Sequence, residues 1–392
     1  MNKLLKGYLS GFVSAAIVTT VVFSAPIQKE LKVVYNNIKI YVDGIMIEPK
    51  DVKGNEVEPF ISNGTTYLPI RAVSQALGKK VEWDDASKSV YIGERINKDN
   101  KDTNETSKTP QIEGIKMFPP DNFWNTPIDK MPVHPKSEEY ISTIGKSKTL
   151  HPDFGTFWEG KPIGIPYNIV PENQPMVSVK FDYDEESDPG PYPIPSNPLI
   201  EAGSDRHMLI LRQGSNILYE LFDARKGSNG SWSAGSGAIW HLDKNEVRKK
   251  NWTSADAAGL AILPGLVRWD EVYKNKQINH ALRITVSKIQ KAYISPASHS
   301  GGRYTETNYP PMGLRLRLKK DFNISGYDQH IQVILKAFKT YGVVIADVGS
   351  DMYVSGVHDT RWDDDVLRAL KKVTASSFEA VYTGDAVPYG QD

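Results

Sequence analysis

Between Glu94 and Gly114 the chain reads ERINKDNKDTNETSKTPQIEG, and a stretch of this kind cannot join a core. Ile96 and Ile112 are its aliphatic residues and Lys, Asp, Asn and Thr fill most of the rest, so ordering it costs more conformational entropy than burial returns. It reads as a flexible linker at residues 94–114, with a small domain at residues 36–93 and a large one at residues 115–384. The charges balance at 47 basic and 47 acidic residues, which gives no reason to expect nucleic acid as a partner. Cysteine is absent, so thiol catalysis, thiolate metal sites and disulfides are excluded together.

Lys3 and Lys6 precede an uncharged run from Gly7 to Ala25, the charged-then-apolar order of an export signal. Residues 1–25 are expected to be a signal peptide or an N-terminal membrane anchor, the membrane being a partner through this segment alone. Either way the remainder is expected outside the cell, secreted or anchored at the surface.

In the small domain IKIYVDGI alternates as a strand, and PFISNGTTYL reads as a hairpin about Asn63-Gly64. Pro69 opens a helix with Ile70, Val73 and Leu77 on one face, and Gly78 closes it. Two strands, KKVEW and KSVYIG, follow. The order of turn, TTYLPIRAVSQALG, VEWD and strand resembles the copper amine oxidase N-terminal-like domain, or stalk domain, of exported Gram-positive proteins, over residues 36–93. The resemblance implies an α+β spacer or display module. It does not carry copper with it, because no histidine precedes His134 and there is no cysteine.

The large domain is mostly strand-like. HMLILRQ and NILYELFDA read as a hairpin through Gly214-Ser215, and Trp158 and Tyr167 as apolar anchors. Asp182, Asp184, Glu186 and Asp188 recur at every second residue and supply the oxygen ligands calcium takes; Ser187 and Pro193 break the helix-loop-helix calcium pattern, and a solvated acidic turn is the other reading. The loop GSNGSWSAGSGAIWHL sets Trp232 and Trp240 among glycines, either as stacking platforms for sugar rings or as caps on the core.

The stretch from Trp252 to Leu318 concentrates Asp256, Asp270, Glu271, His280, Arg283 and His299 among apolar runs, as pocket-forming segments do. In ALRITVS and GLRLRLK the leucines, isoleucine and valine share one face, which puts Arg283 and Arg315 on the other. If the two strands are neighbours, these arginines form a positive floor suited to a carboxylate. YDQHIQVILKAFKTYG is an amphipathic helix, and HDTRWDDDVLRALKKV a second. Asp347 leaves an apolar strand into a glycine-containing turn, a position open to chemistry. The expected fold is a β-rich α+β domain, an antiparallel sandwich or jelly-roll-like core with two packed helices.

No G-x-S-x-G, HExxH or phosphate loop occurs. Two readings stand: cleavage or rearrangement of a polysaccharide, with acids drawn from Glu220, Asp223, Asp256 and Asp347 and proton transfer by His280 or His299, or binding of a cell-wall glycan without turnover. Arg283, Arg315, Trp232, Trp240 and His207 are the expected substrate contacts. A metal-dependent variant would use His207, His280 and His299 with Asp256, and a purely structural surface protein is the third class. The phrases FPPDNFWNTPI, HPDFGT, DPGPYPIP, SADAAGLAILPGLVRWDEV and PPMGLRLRLK make residues 117–380 resemble an uncharacterised family of secreted bacterial proteins, which implies one continuous domain and no particular reaction.

Overall fold

The computed structural model describes residues 31–42, 44–51, 53–85, 88–92 and 109–390. The chain divides into two units, residues 1–104 and 105–392. The expected export segment at residues 1–25 lies outside the described residues, as does most of the expected linker. Among the described residues no helix is long and apolar enough to cross a membrane.

In the small unit β1 (Ile40–Val42) pairs with β2 (Ile45–Ile47), and β3 (Phe60–Ser62) with β4 (Thr65–Tyr67). The helix α1 (Ile70–Ala76) begins after Pro69, whose ring already holds the φ of −69° that suits a helix start. Gly78, at φ +68°, takes the left-handed conformation that ends it. A hairpin of β5 (Val81–Asp84) and β6 (Ser89–Ile92) follows.

The large unit begins inside the stretch expected to be linker. Gln111–Ile112 (β7) pairs with Ile115–Lys116 (β8), because Ile112 finds a core to enter and is buried there. After α2 (Ser137–Ile144) come β9 (His151–Asp153), the hairpin β10 (Phe157–Trp158) and β11 (Lys161–Pro162), β12 (Tyr167–Val170) and β13 (Val179–Phe181). Met208–Arg212 (β14) and Ile217–Phe222 (β15) form the expected hairpin. Then follow β16 (Arg225–Lys226), β17 (Trp232–Ala234), β18 (Ser236–His241), β19 (Leu282–Val286), β20 (Ala292–Tyr293) and β21 (Arg315–Leu318). The chain ends through α3 (Gln329–Thr340), β22 (Val343–Val348), β23 (Tyr353–Ser355), α4 (Asp364–Leu367), β24 (Phe378–Val381) and β25 (Val387–Pro388).

The architecture is β-rich α+β, but the sheets are mixed where antiparallel ones were expected. A six-stranded sheet runs β24-β21-β22-β19-β23-β9, with β19 parallel to β22 and β23 parallel to β9. A four-stranded sheet runs β12-β14-β15-β18, with β12 parallel to β14. On β14, Leu209 and Leu211 face the main core while Met208 and Ile210 face a second cluster shared with β13 and β17. Burial on both faces explains the unbroken apolar run MLIL.

In α3 the side chains of Ile331, Ile334, Leu335 and Phe338 are fully buried on one stripe, and Asp328 caps the start by accepting from the His330 N–H. Gly342 follows at φ +72°, where a Cβ would lie 2.4 Å from the Leu316 carbonyl oxygen. The second expected helix is shorter. Asp363 caps α4, and from Arg368 to Lys372 the chain tightens to a 3₁₀-helix, since the buried Leu367, Leu370 and Val373 recur every three residues.

Candidate active site

The strands β9, β23, β19 and β22 place one row of polar groups on a common face. Asp153 pairs in register with Ser355, His151 with Tyr353, Tyr353 with Thr285, and Thr285 with Asp347. Arg283 lies two residues before Thr285 and therefore shares that face. The register shift between Ile284 and Thr285 skips Ala346 and brings Asp347 onto it.

The alternation of ALRITVS holds, with Leu282, Ile284 and Val286 in the core, but Arg283 is buried too. The segment from Trp252 to Gly259 covers it. This segment is a tight turn tied to β22 by the Ala258 N–H donating to the Ala346 carbonyl, and Ser254 Oγ accepts from the Asp256 N–H. Gly259, at φ +70°, has room for no side chain: a Cβ would meet Ser298 Oγ at 2.1 Å. Held this way, Asp256 receives the guanidinium of Arg283 through both oxygens, at 2.8 and 3.2 Å. The same guanidinium donates to Ser355 Oγ at 2.7 Å and reaches Asp347 at 3.5 Å.

A buried carboxyl (Asp256) and a half-buried one (Asp347) beside one arginine cannot both carry charge at low cost. Burial raises both, the charge of Asp256 raises Asp347 further, and Arg283 opposes this, leaving Asp347 pushed up to about 7. Arg283 makes two bonds to Asp256 and only a long contact to Asp347, so the negative charge resides on Asp256 and the proton on Asp347.

His207 sits behind this pair, fully buried. Its Nε2 donates to the Ala255 carbonyl at 3.1 Å and its Nδ1 faces Glu201 at 2.5 Å. Burial works against the charged ring, but Glu201 outweighs it and raises the imidazole. Burial likewise pushes Glu201 up while His207 brings it below the ordinary carboxylate range. Asp153 is raised, first by burial and then by the Glu201 charge.

In front of Asp256 and Asp347 opens a cleft of about 400 Å³ that Glu186, His299, Tyr183 and Tyr389 also line. His299 donates from Nδ1 to the Ala257 carbonyl at 2.7 Å, so in the neutral ring Nε2 is the nitrogen that carries the lone pair. That Nε2 lies 3.8 Å from Glu186, itself oriented by the Thr253 N–H, and Tyr389 packs its ring against the imidazole. One cleft thus offers a neutral carboxyl that can give a proton and an imidazole nitrogen that can take one.

The structure leaves the other expected residues elsewhere. His280 is sealed between the Ala281 carbonyl and Glu271, which also pairs with Arg268. Glu220 is buried as an acceptor for the Ile262 and Leu263 N–H groups and Trp240 Nε1. Asp223 pairs with Arg225 away from the cleft. Arg315 does not adjoin Arg283, because β22 runs between β19 and β21. Its guanidinium is buried and donates to the carbonyls of Phe123, Thr126 and Tyr341. Trp232 and Trp240 are core residues, at 7% and 4% exposure, and not a rim for sugars; the exposed indole among the described residues of the large unit is Trp158, at 66%. The acidic series disperses: Asp182 pairs with Arg225, Asp188 with Arg248, and Glu186 turns to the cleft. Among the described residues no three His, Asp or Glu side chains are grouped to hold a metal ion.

Asp153, Glu201, Ser355 and Tyr389 belong to the site but carry no sequence signal. Each is a single polar residue in a loop or short strand, brought in by strand register or by the chain end.

The small unit contributes none of these groups, and its elements follow the order hairpin, hairpin, helix, hairpin. Residues 19–109 match the family model of the copper amine oxidase N-terminal domain. This N-terminal domain match covers a minor part of the chain and leaves nearly all of the large unit outside it. No curated protein and no solved structure matches the chain. Residues 36–93 contain no histidine or cysteine, so their donor set does not fit copper.

Proposed function

We propose that the chain is an exported surface protein whose large unit cleaves a polysaccharide by acid–base chemistry in this cleft. The observation that carries the reading is that Asp347, Glu186 and His299 line one cavity, backed by the Asp256–Arg283 pair. Asp347 hands its proton to the glycosidic oxygen as the bond to the leaving sugar breaks. His299 takes a proton from the attacking water or from the sugar carbon, according to whether cleavage is hydrolytic or eliminative, and Glu186 stabilises the imidazolium that forms. Asp256 holds Arg283 in place, and His207 with Glu201 holds the turn that carries Asp256. The phenol of Tyr183, exposed at the rim, suits the flat face of a sugar ring. The charged-then-apolar start and the N-terminal domain match support a place at the cell surface, with wall or exopolysaccharide as partner.

The test is product release from cell-wall and acidic polysaccharides by the full-length protein, read as new reducing ends and as unsaturated ends. Asp347→Asn and His299→Ala are expected each to abolish release without lowering the melting temperature. Retention of polysaccharide with no release by any form would make this a binding protein. Release unaffected by both substitutions would refute the cleft as its seat.

A further inference from the structure

A second groove, about 500 Å³, opens beside the edge strand β9 and is lined by His151, Asp153, Trp158, Tyr353, Arg368 and Lys371. Trp158 stands on the β10–β11 hairpin and is the one exposed tryptophan among the described residues of the large unit. Its indole and the exposed ring of Phe157 beside it line the groove together, a contiguous aromatic surface of the kind that marks a ligand-binding groove. Across the groove the rings of His151 and Tyr353 stack at 4.1 Å and 13°, forming a flat aromatic face. Burial and the nearby Lys371 lower the imidazole, so the stack is neutral and does not repel a cation or attract an anion.

The cations of the groove are Lys371 and Arg368; Asp153 and Asp364 line it as well, Asp364 being occupied by the Thr156 N–H and hydroxyl. Arg368 pairs with Asp365, and both partners are largely exposed, an ion pair that exchanges readily for a ligand carboxylate. Asp153 joins this groove to the row behind the cleft: it lies in register with Ser355, whose Oγ accepts from Arg283. Aromatic faces with a cationic edge match a ring that has an apolar C–H face and one carboxylate.

We infer that this groove is a second carbohydrate subsite that takes a uronic-acid residue, with Trp158 and Tyr353 against the sugar ring and Lys371 and Arg368 against its carboxylate. It rests on the polysaccharide reading of the cleft for its role, since it would hold the same acidic chain that the cleft cuts, but it binds through different residues.

Affinity electrophoresis of the full-length protein through gels holding polygalacturonate or alginate, beside their carboxyl-reduced forms, tests it. The wild type is expected to be retarded more by the acidic polymers. Trp158→Ala should weaken retention about tenfold on all four, and Trp158→Phe should restore part of it. The double variant Arg368→Gln, Lys371→Gln should behave the same on acidic and reduced polymers. A wild type that no acidic polymer retards, or a Trp158→Ala variant retained like wild type, overturns the subsite. Asp347→Asn separates the two readings. If it is retained but releases no product, both stand. If it releases product normally while Trp158→Ala loses retention, the cleft assignment fails and the subsite holds. If it is inactive while Trp158→Ala binds as wild type, the subsite fails and the cleft holds.

Discussion

Replacing Asp347 with asparagine should change how the stability of the large unit depends on pH. Asp347 has an ordinary value of 3.8 and is pushed up to about 7 by burial and by the charge of Asp256. At pH 3 both the folded and unfolded chains carry the proton, so the group contributes no difference. As pH rises past 3.8 the unfolded chain releases it while the folded chain keeps it, and folding loses stability until the folded group also ionises near 7. Between pH 5 and 7 this amounts to about two units at roughly 1.4 kcal/mol each, or about 2 to 3 kcal/mol from one side chain. Asparagine has no such proton and no charge to repel Asp256. Burial raises Asp256, Glu220 and Asp153 in the same sense, so the wild-type curve alone does not isolate the effect. The difference between the two proteins does. Urea unfolding followed by tryptophan fluorescence reports on the large unit, which holds seven of the chain's eight tryptophans. Asp347→Asn should gain about 2 to 3 kcal/mol on the wild type between pH 5 and 8. Curves that run parallel over that range would refute the assignment of the proton to Asp347.

Arg283→Met removes the cation from between two carboxyls and leaves Asp256 buried and unpaired. Unfolding free energy at pH 7 should fall by about 3 to 5 kcal/mol, and the added change Asp256→Asn should recover part of it. Gly259→Ala forces a Cβ onto Ser298 Oγ and the Trp252 carbonyl in a left-handed backbone, so thermal melting should drop and product release should fall with it. Adding Ser298→Gly should restore some of the melting temperature, which a purely conformational cost would not allow.

The elements that were legible before the structure are those whose signals are local. The stripe of Ile331, Ile334, Leu335 and Phe338 and the Gly214-Ser215 hairpin each depend on neighbours a few residues away. Arg283 and Arg315 show the limit. Both sit on the polar parity of similar strands, and both were expected on an open face. One is covered by the Asp256 turn and becomes the centre of the site, while the other is covered by residues 123–126 and is satisfied by backbone carbonyls. What covers a strand is a non-local fact, and periodicity does not contain it. The tryptophans make the same point in reverse. Glycine and serine around Trp232 suggested a loose rim, but those small residues let strands approach closely: a Cβ on Gly237 would lie 2.5 Å from the Tyr192 hydroxyl. Asp256, Asp347 and His299 were legible as candidates because polar residues stand out in apolar runs. Glu201 and Asp153 lie in ordinary loop and edge-strand context, where a carboxylate is unremarkable.

The parallel pairing of β9 with β23 has a kinetic consequence. His151–Asp153 finds its partner about 200 residues later, near the end of the chain, and β19 waits for β22 across a crossover that includes α3. Closing loops of this length costs entropy before any contact repays it. A chain that has emerged only as far as Leu318 holds Arg283 and the Asp256 turn but neither Asp347 nor Ser355 to satisfy them. The central sheet therefore cannot close until β22 and β23 are present, and a C-terminally truncated chain leaves its apolar strands without partners and prone to aggregate.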